Sequence, residues 1–143
     1  PGSDPSLLAD WLSLLREQKV DWTLAWRRLA DTAAGHEAGL EALFQDGRPL
    51  TPWLERWRER AASDGRSGTE RAAAMRRVNP LYIPRNHQVE KALAAASDAS
   101  DLEPFERLLG VITQPWDERP GLDEYALPAP AEVTARYQTF CGT

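Results

Sequence analysis

The chain has 143 residues, 42% of them hydrophobic and 27% charged, and a formal net charge of −5. These values are ordinary for a globular protein that buries one core. No run of about 18 apolar residues occurs, so no membrane span is predicted. An acidic balance also argues against nucleic-acid binding, which favours a basic domain. The single cysteine, Cys141, excludes a disulfide within the chain, and with only two histidines it excludes a cysteine/histidine zinc site.

The spacing of apolar residues predicts an all-α fold, an irregular bundle of about six to seven short helices. No segment alternates apolar and polar residues as a strand would. We expect residues 1–3 (Pro-Gly-Ser) to be a scar of recombinant expression and residues 4–113 to form a helical domain. Residues 114–143 contain four prolines, which forbid long helices, and are predicted to form an extended tail.

Helix starts are signalled by residues that cap the first turn. The predicted caps are Asp4, Asp21, Thr51, Thr69, and Ser100 or Asp101, with Ser100 and Glu103 fitting a capping box. In the second helix Trp22 and Trp26 share the apolar face, which predicts that Arg27 and Arg28 point outward. Core packing is the favoured role of the two tryptophans, and a platform for stacking a ligand is the alternative.

Residues 79–87, Asn-Pro-Leu-Tyr-Ile-Pro-Arg-Asn-His, are the most unusual stretch of the chain. Because the residue before a proline avoids helical backbone angles, Pro80 and Pro84 predict an extended strut between two helices. A strut that ends in polar groups could be a junction or a site. The alternative is a connector whose arginine and asparagine only cap neighbouring backbone, which turn chemistry does routinely.

Positive charge is concentrated in the middle of the chain. Between residues 56 and 85 there are eight arginines and three acidic residues, whereas residues 98–143 hold nine acidic and three basic side chains. Such a cluster could meet phosphate or an acidic partner surface. Solvated helix faces, or pairing with the acidic C-terminal third, are the favoured interpretation.

No sequence motif for phosphate binding, metal binding or nucleophilic catalysis is present. His36 and His87 lie far apart in the chain, and neither has an evident carboxylate partner in the sequence. Surface or capping roles are therefore favoured for both. We predict no catalytic, cofactor-binding or metal-binding residue in the chain.

The strut motif resembles the C-terminal part of the selenoprotein O family, AMP-transferring proteins with a kinase-like fold. Asn79, Tyr82, Arg85 and Asn86 stand at the positions of its N-P-x-Y-[IV]-x-R-N pattern, although Leu81 and Pro84 depart from the usual residues at two others. The other matching segments are Asp21-Trp22-Thr23, Arg27-Arg28-Leu29, Pro115-Trp116-Asp117-Glu118-Arg119-Pro120, Tyr125-Ala126 and the terminal Cys141-Gly142-Thr143.

The resemblance implies that the full-length protein transfers AMP from ATP to serine, threonine or tyrosine hydroxyls of proteins. In that family the ATP-binding and magnesium-binding residues lie upstream, in a kinase-like domain with which this region would pair. ATP and magnesium are therefore expected to bind the full-length protein, and no cofactor is expected to bind these 143 residues. The resemblance implies that Asn79, Tyr82, Arg85 and Asn86 position this region against the rest of the protein. A bacterial member would be cytoplasmic. No nucleic-acid or membrane partner is expected.

The resemblance also bears on Cys141, because family members carry cysteine or selenocysteine near the terminus. It implies redox control through pairing with a cysteine of the kinase-like part. Gln138 stands where a second local thiol would be needed, so any disulfide must reach outside the 143 residues. An inconsequential free thiol is an equal alternative.

Other functions are also compatible with the residues. A free-standing helical module could bind a protein partner through its tryptophan-rich helices. Nucleic-acid binding by the arginine cluster is a weaker hypothesis, which a steep dependence of affinity on salt would support.

Overall fold

The computed structural model describes residues 4–134, and within that range every regular element is a helix, which confirms the predicted all-α class. Six helices have ten residues or more and three are single turns. The elements are α1 (Asp4–Glu17), α2 (Trp22–Ala33), α3 (Ala38–Glu41), α4 (Leu50–Ala62), α5 (Gly68–Val78), α6 (Asn86–Ala99), α7 (Glu103–Ile112), α8 (Asp123–Ala126) and α9 (Ala131–Thr134). No helix among the described residues has the length and apolar character needed to cross a bilayer.

Contacts between Cα atoms divide the chain into two compact units, Pro1–Pro80 and Leu81–Thr143. The first, which we call the N-terminal unit, contains α1 to α5. The second, the C-terminal unit, contains α6 to α9. The division falls inside the strut motif. The domain limits of 4–113 and 114–143 stay a prediction.

A cluster of aromatic rings forms the centre of the N-terminal unit. Trp11 on α1 is fully buried and stacks on Trp53 of α4, with 4.4 Å between the ring centroids. Trp26 of α2 meets Trp11 edge-on at 5.8 Å, and Phe44 lies 6.1 Å away. The indole N–H of Trp53 donates to the carbonyl oxygen of Leu7 at 2.8 Å. Because aromatic side chains bury large areas, this cluster holds α1, α2 and α4 together.

The prediction that Arg27 points outward is wrong: its side chain is 3% exposed. Helix α2 packs against both α3 and α5, so it is buried on more faces than the tryptophan stripe indicates. The guanidinium Nη1 of Arg27 donates to the carbonyl oxygens of Arg76 and Asn79, at 3.4 and 3.3 Å. These carbonyls lie at the C-terminal end of α5, where intrahelical donors run out. Arg28 is partly exposed and pairs with Asp31.

Three of the predicted caps differ from the structure. Helix α4 begins at Leu50 with Pro49 at the N-cap position, so Thr51 lies inside the helix and does not cap it. Helix α5 is capped by Ser67 rather than Thr69, in a capping box in which Ser67 and Glu70 bond each other's backbone N–H. Ser100 ends α6 in the left-handed conformation, with φ at 54°, instead of starting α7. The alternative, Asp101, lies one residue before the N-cap of α7, which is Leu102, although its Oδ1 accepts from the N–H of Glu103 at 3.0 Å.

Helices α6 and α7 pack against each other and form the main body of the C-terminal unit. Ala92 on α6 and Leu108 and Val111 on α7 are buried. The proline-rich stretch that follows α7 includes the single turn α8, in which Tyr125 and Ala126 are buried. Part of the predicted tail is therefore packed.

Two glycines provide a matched test of how closely α5 packs against α2. A Cβ on Gly68, the first residue of α5, would overlap the carbonyl oxygen of Ala33 at the end of α2, whereas a Cβ on Gly110 of α7 meets nothing. We expect Gly68→Ala to lower the free energy of unfolding by roughly 1–3 kcal/mol through overpacking. Gly110→Ala should raise it by about 0.5–1 kcal/mol, since glycine is a poor residue inside a helix. Urea denaturation of both variants measures this, and equal effects would contradict the close approach of α5 to α2.

Candidate functional site

The first residue of the strut motif, Asn79, belongs to the N-terminal unit and ends α5. Its side-chain Nδ2 and its backbone N–H both donate to the carbonyl oxygen of Met75, at 2.9 and 3.0 Å. Its own carbonyl oxygen accepts from Arg27. The backbone of Asn79 is extended, with φ −114° and ψ 100°, as expected for a residue before proline. Asn79 therefore acts as a helix cap, the alternative considered from the sequence.

Within the C-terminal unit the strut is joined to the segment after α7. The backbone N–H groups of Leu81 and Tyr82 both donate to the carbonyl oxygen of Pro115, at 2.8 and 3.2 Å. The side chains of Leu81 and Tyr82 are 1% and 2% exposed. The two segments therefore form one packed layer although more than thirty residues separate them in the chain.

Arg119, which the sequence analysis did not single out, is the polar centre of this layer. Its backbone N–H donates to the phenol oxygen of Tyr82 at 3.0 Å, and its guanidinium lies 5.3 Å from the centroid of the Tyr82 ring. Its Nη2 donates to the carbonyl oxygens of Val111 and Gln114, at 2.9 and 3.2 Å. Arg119 thus ties the C-terminal end of α7 to the strut. The sequence feature that could have indicated its role is an arginine that precedes a proline in an otherwise acidic stretch.

Arg85 and Asn86 occupy different environments. Arg85 is 9% exposed, and its Nη2 donates to the carbonyl oxygen of Ala126 at 2.8 Å. Ala126 ends α8, so this cation lies at the carbonyl end of a helical turn, where positive charge is favourable. Asn86 is the first residue of α6 and is exposed.

We call the set Tyr82, Arg85, Arg119, Pro115 and Ala126 the strut clamp. Three of its hydrogen bonds run from guanidinium nitrogens to main-chain carbonyls, and the Tyr82 hydroxyl donates to the carbonyl oxygen of Arg119 at 3.5 Å. The others involve main-chain N–H groups. A nucleophile paired with a base is not part of this set. These bonds order the backbone of the strut and of the segment after α7.

The arginine cluster is largely neutralised by acidic side chains of the N-terminal unit. Arg56 bonds Asp10 and Arg60 bonds Asp4, both at 2.6 Å. Further pairs of this kind are Arg58–Glu37, Arg66–Asp64, Arg71–Asp64 and Arg76–Asp31. These contacts agree with the interpretation that the arginines lie on solvated helix faces and pair with acidic side chains. The carboxylates that pair with them among the described residues lie in residues 4–64, however, and not in the C-terminal third.

Asp31 is the least exposed acid in this network. It accepts from Nη2 of Arg76 at 2.5 Å and from Nη1 of Arg28 at 2.9 Å. Burial raises the pKa of this carboxyl, but the hydrogen bonds from Arg76 and Arg28 lower it by more, so the pKa lies below its ordinary value of 3.8. Asp31 is therefore ionised at neutral pH and compensates two guanidinium charges.

A cleft of about 370 Å³ opens beside the aromatic cluster of the N-terminal unit. Its walls are apolar, and the ion pairs Arg60–Asp4 and Arg71–Asp64 lie at its margin. The wall residues are Leu7, Leu8, Trp11, Trp26, Leu29, Trp53, Trp57, Ala61 and Met75. Trp26 thus packs in the core and also lines a cleft, while Trp22 is 57% exposed.

The remaining candidates show no catalytic arrangement. His36 is exposed, whereas His87, at the start of α6, is partly buried. Burial and then the charges of Arg85 and Lys91 hold the pKa of His87 below its ordinary value of 6.5, so His87 is neutral at pH 7. Among residues 4–134 no three potential ligand side chains cluster as a metal site. Cys141 lies outside the described residues.

Comparison with known proteins identifies a family. A family model described as protein adenylyltransferase SelO matches residues 2–113. The chain is 54% identical to the protein nucleotidyltransferase YdiU of Chromobacterium violaceum over 140 residues, which are 98% of this chain and 29% of that protein. It is 50% identical over 140 residues to the protein of the same name from Cereibacter sphaeroides and 49% identical to that from Rhodococcus jostii. Each of these alignments covers 98% of this chain and 27% of the relative.

The strut clamp leads to a prediction about Tyr82. Tyr82→Phe removes the oxygen that accepts from the N–H of Arg119, so we expect a loss of about 1 kcal/mol in the free energy of unfolding. The amide hydrogen of Arg119 should also exchange faster, which is measurable by hydrogen exchange. Tyr125→Phe is the control, because it makes the same change at another buried tyrosine of the C-terminal unit. Unchanged exchange at Arg119 in Tyr82→Phe would contradict the clamp.

Proposed function

This chain belongs to the protein adenylyltransferase SelO family, and from that membership we propose that its 143 residues form a non-catalytic helical scaffold within a longer enzyme. The observation that carries the proposal is the coverage of the relatives. The chain aligns over 98% of its own length, yet spans only 29% of the Chromobacterium violaceum protein and 27% of two others. Most of each relative therefore lies outside the region to which this chain corresponds.

The proposed activity of the full-length protein is transfer of AMP from ATP to a serine, threonine or tyrosine hydroxyl of a protein substrate. The hydroxyl oxygen bonds to the α-phosphorus of ATP, pyrophosphate leaves, and the hydroxyl proton passes to a base. Such a transfer needs cations around the phosphates and a metal ion to neutralise charge. The described residues do not fit a magnesium site, so ATP and magnesium are assigned to the part of the parent outside this chain.

The contacts in the chain support a structural role. Arg27, Arg85 and Arg119 donate to main-chain carbonyls, and Arg56 and Arg60 are paired with carboxylates. Donors engaged in this way do not supply a phosphate site. We assign Asn79, Tyr82, Arg85 and Asn86 the task of holding the region in the shape that the kinase-like domain of the same protein recognises. For a bacterial member the cytoplasm is the proposed compartment.

The scaffold proposal predicts where AMP transfer resides. With ATP labelled at the α-phosphate and magnesium, the full-length protein should label itself or an added protein, and chelation of the metal should abolish the label. The 143-residue chain under the same conditions should stay unlabelled. Label transferred by the chain alone would contradict the scaffold role, whereas a full-length protein that labels nothing would favour a helical interaction module.

We also propose that Cys141 is a redox-regulatory thiol of the full-length protein. It is the one cysteine in this sequence, so a disulfide would join it to a cysteine in the rest of the parent. The two thiols would lose two protons and two electrons to an oxidant such as hydrogen peroxide, which is reduced to water.

The redox proposal predicts a response that depends on this thiol. Treatment of the oxidised full-length protein with a reductant should change its rate of AMP transfer, and Cys141→Ser should remove that response while activity persists. Peptide mapping without reductant should recover a disulfide that contains Cys141. A response to reductant that survives in Cys141→Ser would rule the proposal out.

A further inference from the structure

Helix α7 carries apolar side chains on two faces, of which one is buried. Leu108 and Val111 are 5% and 3% exposed and face the interior of the C-terminal unit. Leu102, Phe105 and Leu109 are 56%, 43% and 46% exposed. Their spacing of three and four residues puts them on one line along the helix. We call these three side chains the α7 stripe.

The two faces are not distinguishable in the sequence, because both contribute to one strong apolar periodicity. In the structure α6 packs against α7, Leu108 and Val111 are buried, and the stripe stays about half exposed. Single exposed leucines are normal on protein surfaces, but aligned large apolar side chains mark a surface that another body covers. The exposed charged residues near it in the sequence are mostly acidic, namely Asp101, Glu103 and Glu106, with Arg107 as the one cation.

The small size of the stripe decides which partner can cover it. Helix α7 has ten residues and is therefore about 15 Å long, and the stripe contributes three side chains. A stable interface between separate proteins usually involves about 20–30 residues on each side. The stripe by itself is too small for a stable dimer of this chain. A partner surface on the same polypeptide chain needs far less contact area. The chain that connects the two surfaces keeps the effective concentration of one near the other at about millimolar or more.

From these observations we propose that the α7 stripe docks onto the remainder of the full-length protein. This inference rests on the proposed function, in which the chain is part of a longer enzyme. The relatives extend over more than three times the aligned length, so a tethered partner of sufficient size exists in them. The acidic border of the stripe indicates that its counterpart is an apolar patch bordered by lysine or arginine side chains.

Substitution of one stripe residue tests this docking, with a leucine of similar exposure as its control. Leu109→Lys places a charge in the stripe, and Leu93→Lys places one on α6, where Leu93 is 54% exposed. In the 143-residue chain both variants should keep the helical circular dichroism and unfold within about 0.5 kcal/mol of the parent chain, as surface substitutions do. Phe105→Ala provides a second, uncharged change in the stripe.

In the full-length protein we expect Leu109→Lys and Phe105→Ala to lower the melting temperature by several degrees, and Leu93→Lys to leave it unchanged. Limited proteolysis should release the region containing α7 faster from the two stripe variants. The docking is overturned if the stripe variants match Leu93→Lys in the full-length protein, or if they unfold the isolated chain. AMP transfer by the unmodified full-length protein is scored separately, so failure of the proposed function is distinguishable from failure of the docking.

Discussion

Buried and partly buried guanidinium groups that donate to the carbonyl ends of helices are the interaction on which this structure depends. In the N-terminal unit Arg27 bonds the carbonyls at the end of α5. In the C-terminal unit Arg119 bonds those that end α7, and Arg85 bonds the last carbonyl of α8. The last four carbonyls of a helix have no intrahelical donor, and a cation there also meets the negative end of the helix dipole. Short helices in a small domain have many such ends relative to their length.

This use of arginine accounts for much of the positive charge in the middle of the chain. A guanidinium presents five donors in a fixed plane and suits carbonyls as well as phosphates. Here the donors of the buried arginines bond main-chain oxygens, and those of the exposed arginines mostly bond carboxylates such as Asp4, Asp10 and Asp31. The parts that transfer AMP are proposed to lie in the remainder of the parent.

Much of the fold was predictable from local signals. Period and capping residues predict the six longer helices, and Asp21 caps α2 as expected, with its carboxylate accepting from Leu24 at 2.9 Å. The errors have two causes, a contact between distant residues and a local signal that was overlooked. Arg27 is buried because α5 covers the second face of α2, which no pattern within α2 records. The cap of α5 was predicted two residues late, although Ser67 and Glu70 already have the spacing of a capping box.

The candidate site was predictable only in part, because the strut was visible in the sequence and its partners were not. Pro80 and Pro84 indicate extended backbone, and the structure has extended angles at Asn79 and Arg85. The identity of the bonded partners depends on where the segment after α7 folds back, which is a long-range contact. Arg119 was missed for that reason. The positioning role of Tyr82 and Arg85 toward the rest of the protein stays a prediction.

Calorimetric titration of ATP with magnesium into the purified 143-residue chain tests the central claim most directly, since it asks whether these arginines hold phosphate. With their donors bonded to carbonyls and carboxylates, we expect no saturable heat up to about 1 mM nucleotide, which corresponds to a binding free energy weaker than about −4 kcal/mol. Saturable binding at micromolar nucleotide, lost when Arg60 or Arg71 is changed to alanine, would contradict the account.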